Sequence, residues 1–230
     1  MNGGDAGSDA ECIDVATIGE DVPLLEGIRT TRAIRRLRPD PVPRELIRKV
    51  VEAGTFAPSG GNRQPWIFIA VTEAERRAWI AARYRRAFDE YIAPAVEAAR
   101  SPDYPRHKRA NMESAIYLAE HFAEVPVHLV VAGWTRRAEP QVQALFPAIQ
   151  NILLACRAVG LGACLTTMQL AFHRELDEYL GLQPSQPSAA LIPIGWPMIP
   201  YKRPQRRPVD DCLHWEKLVT SPSTPDRASR

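Results

Sequence analysis

Apolar side chains first recur at helical intervals in residues 43–54, where Leu46, Ile47, Val50 and Val51 share one side and Pro43 suits the first turn. This spacing predicts an amphipathic helix of about three turns that stops near Gly54. A short apolar run follows, Trp66–Val71 (WIFIAV), too brief for a helix and rich in β-prone side chains, so a buried strand is expected there. Residues 73–100 are charged, yet Trp79, Ile80, Tyr84, Phe88, Tyr91 and Ile92 keep helical spacing, with Pro94 expected to break or kink the helix. A second helical stretch, residues 107–124, leads to Pro126 and the strand VHLVVAG. Residues 141–159 are apolar nearly all round, with Leu145, Ile149, Ile152, Leu153, Cys156 and Val159 turned inward, so this helix belongs at the centre of the core. Gly160 suits its C-terminal cap. GLGACLTTM is then expected as a strand, residues 173–180 as a short helix, AALIPIG as another strand, and Leu213, Trp215 and Leu218 as a last apolar patch. The order predicts an α+β fold with a mixed central β-sheet flanked by helices.

Residues 1–20 and 220–230 are small, polar and turn-forming, and are expected to be disordered tails. No repeat or linker divides the stretch between them, so residues 21–219 are expected to form one domain. With 230 residues, 45% hydrophobic and 24% charged, the chain can bury a full core, which excludes a disordered protein and a disulfide-stapled miniprotein. A net charge of +2 is too small for a protein that coats nucleic acid or anionic membrane, and neither partner is expected. Cys12, Cys156, Cys164 and Cys212 are scattered, without metal-ligand spacing, and read as reduced thiols with no metal site. No apolar stretch approaches the roughly 18 to 20 residues that span a bilayer. The opening residues are acidic and Gly-rich where a signal peptide is basic and then apolar, so a cytoplasmic location is expected.

Three segments carry more polar chemistry than packing requires. In RTTRAIRRLR, Arg32, Arg35 and Arg36 stand at i, i+3 and i+4, so a helical turn would put three guanidinium groups on one face, a donor set suited to phosphate. Taken alone, such a cluster is more often a solvated helix end. In APSGGNRQPW, two prolines bracket a Gly-Gly turn, the glycines let backbone N–H groups approach a ligand, and Ser59, Asn62 and Gln64 add directional donors and acceptors. A helix-to-strand loop needs the glycines and prolines but not the rest. In GWPMIPYKRPQRRP, Lys202, Arg203, Arg206 and Arg207 sit among stiffening prolines, either a second cation set for the same anion or an exposed arm. No nucleophile and base pair emerges. Ser59 has no neighbouring His, the five histidines form no HxxxH or HExxH array, and His128 within its apolar strand reads as a satisfied core histidine. With no catalytic side chain in view, a borrowed cofactor is the natural source of chemistry.

In this order and spacing, RTTRAIRRLRPDPVP, APSGGNRQPW before a strand, FPAIQNILLACRAVGLGACLTT and IPIGWPMIPYKRPQRRP resemble the nitroreductase family of FMN-dependent oxidoreductases, over about residues 26–216. The resemblance implies the nitroreductase-like FMN-binding fold, homodimeric, with FMN at the subunit interface. By motif position it implies that Arg32 and Ala33 lie at the FMN phosphate and Arg35 at the polar edge of the flavin. Pro58, Ser59, Gly60, Asn62 and Gln64 would contact the flavin from the partner subunit. The backbone around Thr166, Thr167 and Met168 would lie near N5, where an N–H donor stabilises negative charge. Arg206, with Lys202 or Arg207 as substitutes, would complete the phosphate grip. Thr31 and Ala33 stand where many members carry Arg and Ser. Thr31 is expected to supply one hydrogen bond, and losing one charge-assisted contact of roughly 1.5 to 3 kcal/mol lowers the expected FMN affinity without abolishing binding.

The implied reaction has two steps: NAD(P)H passes a hydride to the flavin N5, then a nitroaromatic or quinone takes the electrons at the same face. Residues 84–117, with Phe88, Tyr91 and Tyr104, are the expected wall or lid of that pocket, with a plain core helix the other reading for most of them. A same-fold enzyme acting on enones or halogenated phenols is the nearest alternative, although Asn62, Arg63, Gln64, Pro65 and Trp66 resemble the generic branch more. A non-catalytic module that binds flavin or RNA phosphate would show no turnover with either nicotinamide, and for RNA a steep salt dependence.

Overall fold

The computed structural model describes residues 19–134 and 142–218. Apart from Gly19 and Glu20, the expected tail at 1–20 lies outside the described residues, as do the tail at 220–230 and Cys12. The helices are α1 (Leu24–Thr30), α2 (Arg44–Thr55), α3 (Ala74–Ala99), α4 (Arg106–Glu120), α5 (Phe146–Ala158) and α6 (His173–Tyr179). The strands are β1 (Trp66–Val71), β2 (Val127–Gly133), β3 (Gly162–Ala163) and β4 (Ser188–Gly195).

The strands form one sheet in the order β1-β2-β4-β3. Trp66 opposes Gly133, Val127 opposes Ile194 and Gly162 opposes Gly195, with a bulge between Val131 and Ala132. All three pairings are antiparallel, where a mixed sheet was expected; the connections are long enough for either direction, and apolar runs do not encode it.

β2 and β4 are buried along their whole length because both sheet faces are covered. Val127, Leu129 and Val131 face α2 and α5, packing with Leu46, Val50, Ile149 and Ile152. Val130 and Leu191 point the other way, among Ile80, Tyr84 and Phe88 of α3 and Leu118 of α4. The period-2 alternation of side chains thus splits one apolar run between two cores. α5 is the central helix its composition predicted: Ala148, Ile149, Ile152 and Cys156 are buried, and Leu153 packs at the margin.

Four local expectations need correction. α3 continues through Pro94 instead of stopping there, on a stretch whose side chains are mostly exposed. The helix expected over 107–124 ends at Glu120 and is followed by a separate 3-10 turn, Phe122–Glu124. Of the strand expected in GLGACLTTM, only Gly162–Ala163 joins the sheet, and Thr166 makes an isolated bridge to Leu191. Arg32, Arg35 and Arg36 do not share a helical face, because α1 ends at Thr30 and Thr31 is already extended (φ −63°, ψ 126°).

The arginine segment is instead stitched to the edge of the sheet. Ile34 N–H donates to the Ala163 carbonyl (2.9 Å), Arg38 N–H to that of Trp196 (2.8 Å), and Met198 N–H to that of Arg36 (3.0 Å). Ile34 and Leu37 drop into the core and pin the segment, which leaves the arginines to point elsewhere. Gly162 makes the approach possible: a Cβ there would lie 2.6 Å from Leu37 Cδ2 and 2.8 Å from Ile34 Cγ2.

Candidate active site

The three arginines reach three environments. Arg36 lies over the Tyr117 ring, 4.3 Å from its centroid. Arg35 enters a cleft of about 370 Å³ whose walls come from α3, α4 and the segment after β3. Arg32 is half-buried near Tyr201, and its Nε is sealed from solvent with no hydrogen-bond partner among the described residues. Nearby, Arg157 donates from Nε to Thr30 Oγ1 (2.8 Å) and lies 4.6 Å from the Tyr201 ring, while the Tyr201 hydroxyl donates to the Leu161 carbonyl. Burial raises the Tyr201 pKa, so the phenol stays neutral and leaves the Arg32 charge uncompensated.

Thr166, Met168, Tyr84, Phe88 and Tyr104 line the cleft together with Arg35. The isolated bridge fixes Thr166: its N–H donates to the Leu191 carbonyl and its own carbonyl accepts from Leu191, both at 3.0 Å. Thr166 Oγ1 accepts from Met168 N–H (3.2 Å) and lies 3.4 Å from the Tyr84 hydroxyl. Tyr84 stacks on Phe122 (centroids 4.0 Å apart), which packs on His128. Burial pushes the Tyr84 hydroxyl up to about 12 and the Cys164 thiol up to about 11, so both face the cleft as neutral groups at ordinary pH. Tyr91, expected in this wall, is exposed and lines no part of it.

The loop of APSGGNRQPW lies elsewhere. It enters β1 at Trp66, beside Gly133, at one edge of the sheet, whereas the arginine segment runs beside β3 at the other edge and the opposite end of β4. Three strand spacings alone separate them by roughly 14 Å. Pro58, Gly60, Asn62 and Gln64 are exposed and Ser59 is half-buried, with Gln64 N–H donating to Ser59 Oγ (2.9 Å) and Gln64 Nε2 to Asn62 Oδ1 (3.3 Å). A single copy therefore brings Arg35, Thr166 and Met168 together and leaves the loop residues apart.

Other expected site residues are also spread out. Ala33, Thr167, Lys202 and Arg206 are exposed; Arg206 Nη1 donates only to the Gln205 carbonyl (3.1 Å), and Arg203 pairs with Glu26 (2.6 Å). The Thr31 hydroxyl, the expected phosphate donor, is engaged with the Gly27 carbonyl (2.7 Å). Tyr201, Arg157 and, in the cleft wall, Lys108, Asn111 and Met112 escaped residue-level reading of the sequence. Tyr201 alone had a signal, its place beside Lys202 in a motif already singled out. His128 is in the core as expected but only half satisfied: Nε2 lies 2.8 Å from the Phe122 carbonyl, whereas Nδ1 is buried with no partner among the described residues, and burial lowers the pKa to about 3. Among the described residues no cluster of His, Cys, Asp or Glu is placed to hold a metal, and no helix is long and apolar enough to cross a membrane.

The Nitroreductase family profile matches residues 28–196, which takes in the arginine segment, the glycine loop, α5 and the whole sheet. The chain belongs to the nitroreductase family. It is 31% identical over 204 residues to an NADH dehydrogenase of Thermus thermophilus, covering 80% of this chain and 91% of that one. It is 25% identical over 192 residues to the putative NAD(P)H nitroreductase YfhC of Bacillus subtilis, covering 82% and 91%. The fold matches that of an iodotyrosine deiodinase crystallised with FMN and 3-iodo-L-tyrosine, with a TM-score of 0.69, 21% identity, and coverage of 85% of this chain and 100% of that one. Family members are oxidoreductases, and the nitroreductase-like α+β fold is common to them.

Proposed function

We propose that the protein is a cytoplasmic, homodimeric, FMN-dependent oxidoreductase that uses NAD(P)H to reduce a small electron-poor acceptor, a nitroaromatic or a quinone, in two half-reactions at one cleft. The observation that carries this reading is Arg32: a half-buried guanidinium whose Nε has neither solvent nor, among the described residues, a protein partner. Leaving such a donor unmet costs about 1 to 3 kcal/mol or more. A phosphate monoester meets that need, and Arg35 in the adjoining cleft suits the polar edge of a flavin ring. The residues present therefore fit FMN.

When bound, FMN would supply the two-electron carrier between nicotinamide and acceptor. The protein's own part is binding, orientation and water exclusion. Arg32 would hold the phosphate, with Lys202 and Arg206 on the exposed arm as further cations. Arg35 would orient the ring edge, and the Thr166–Met168 backbone, held by the bridge to Leu191 and the Thr166 hydroxyl, would present the Thr167 N–H to the ring, the Thr166 and Met168 N–H groups being already donated. Tyr84, Phe88 and Tyr104 would exclude water from the space above it. Pro58, Ser59, Gly60, Asn62 and Gln64, remote from their own chain's cleft, would serve the cleft of a second copy. The exposed Leu24, Leu25 and Ile28 of α1 and Leu213, Trp215 and Leu218 offer apolar surface for that pairing.

The test is the visible spectrum of the purified protein, followed by anaerobic addition of NADH or NADPH. Flavin absorption that one nicotinamide bleaches, and that nitrofurazone or a quinone restores, is expected. Protein that stays colourless after incubation with FMN refutes the reading, and turnover confined to an iodophenol refutes the acceptor class.

A further inference from the structure

We propose that the cleft selects aromatic acceptors that carry a carboxylate, and that Lys108 on α4 is the specificity-determining residue. This rests on the proposed function, since it concerns the acceptor side of the same cleft. Among the described residues the cleft is lined by two cations, Arg35 and Lys108, and by no carboxylate. Arg35 lies beside Cys164 and Tyr84, where the flavin edge would occupy it. Lys108 comes from the other wall, exposed, one helical turn from Asn111, and makes no hydrogen bond or ion pair among the described residues. The first turn of α4 holds no acidic residue, so a cation there faces the positive end of the helix without compensation. A bound anion would relieve that imbalance, and the Asn111 amide could donate beside it.

Much of the remaining lining is apolar, with Phe88 and Ile92 from α3 and Met112 and Leu118 from α4. At about 370 Å³ the cleft is within the range of small-molecule sites. The wall is also held in place. Arg109 Nη2 donates to the Ser101 carbonyl (2.6 Å) and the Tyr104 carbonyl (3.3 Å), clasping the turn that carries Tyr104 back onto α4. A flat apolar body with an anionic end toward Lys108 matches this arrangement. The phosphates of NAD(P)H share the anionic chemistry, so the experiment must separate the two sources.

With FMN-reconstituted full-length protein, kcat/KM would be measured for 4-nitrobenzoate and 4-nitrobenzylamine, with NADH and NADPH constants alongside, for the parent, Lys108→Arg and Lys108→Glu. Benzoate affinity would be read by calorimetry, without turnover. The parent and Lys108→Arg are expected to favour the carboxylate by about fivefold or more, as for a partly exposed ion pair at a binding site. Lys108→Glu is expected to reverse the order and to weaken benzoate by a similar factor. Unchanged order and unchanged benzoate affinity in Lys108→Glu overturn the proposal, as does a loss confined to the KM of the nicotinamide. If no preparation holds FMN or turns over, the proposed function fails while the benzoate titration still decides the anion site: weaker binding in Lys108→Glu supports it and equal binding overturns it.

Discussion

Arg32→Ala separates a phosphate ligand from a structural strut, because the two roles predict opposite effects with and without FMN. In the unliganded chain the Arg32 Nε is buried without a partner, a deficit of about 1 to 3 kcal/mol that alanine removes. The substitution also forfeits packing of the half-buried stem, about 1 kcal/mol. The balance runs from nil to about 2 kcal/mol in favour of alanine, so the Tm without FMN should not fall and should rise by no more than about 8 °C. With FMN the same change deletes a charge-assisted contact of about 1.5 to 3 kcal/mol, weakening Kd by about ten- to 150-fold. At FMN equal to 100 times the parent Kd, the parent gains about 2.7 kcal/mol from the ligand, whereas a variant 50-fold weaker gains only about 0.7 kcal/mol. Flavin fluorescence titration gives the first quantity and paired melts with and without FMN the second. An unchanged Kd refutes the phosphate assignment, and an FMN-free Tm lower by 8 °C or more would make Arg32 a strut of the fold.

Gly162→Ala should lower stability by about 1 to 3 kcal/mol and weaken FMN as well, since its Cβ would displace Ile34 and Leu37 and with them the arginine segment; denaturant melts and FMN titration check this, and normal FMN affinity in a folded variant would count against the coupling. His128 is buried neutral with its pKa lowered from 6.5 to about 3, so the unfolded chain takes up a proton that the folded chain refuses, and stability present above pH 6.5 is lost as pH falls toward 3. From this group the parent should lose about 2 kcal/mol between pH 7 and pH 5 at about 1.4 kcal/mol per unit, and His128→Leu should flatten that limb in urea melts; parallel pH curves for the two proteins would disprove it.

The parts of the fold that could be read from sequence are those whose environment is encoded in unbroken runs. The eight residues of β4 and the apolar α5 carry their burial on their face, because two covered sheet faces and a central helix leave no position for a polar side chain. The arginine segment misleads for the converse reason. Ile34 and Leu37 stand three apart just as Arg32 and Arg35 do, so the local pattern fits a helix, and the choice of an extended chain is made by bonds to Ala163, Trp196 and Met198, far away in sequence. GLGACLTTM fails similarly: its composition suits a strand, but the chain leaves the sheet after Ala163 and touches β4 again only at Thr166. Within the site, Arg35, Thr166 and Met168 came from motif position. Tyr201 beside Arg32 and the Arg109 clasp on the Tyr104 turn depend on packing, which no local spacing announces.

The glycine loop supports the proposal that a second copy completes the site. Asn62 (φ 51°) and Gln64 (φ 47°) both hold left-handed backbone, at about 1 to 2 kcal/mol each for residues with a Cβ. Gly60 and Gly61 have open space where their Cβ atoms would be, so nothing from the rest of the chain packs against that part of the loop. It is held by bonds inside the loop, Gln64 N–H to Ser59 Oγ and Arg63 Nε to the Gly60 carbonyl (3.1 Å), which preset an exposed row of polar groups. Strain kept by internal bonds on a surface that serves nothing in its own chain fits a surface shaped in advance for another. In a dimer with FMN bridging the loop of one copy and the arginines of the other, cofactor binding and subunit association become one equilibrium. Flavin loss and dimer dissociation should then rise together with dilution, as mass action requires of any ligand bound only by the assembled pair.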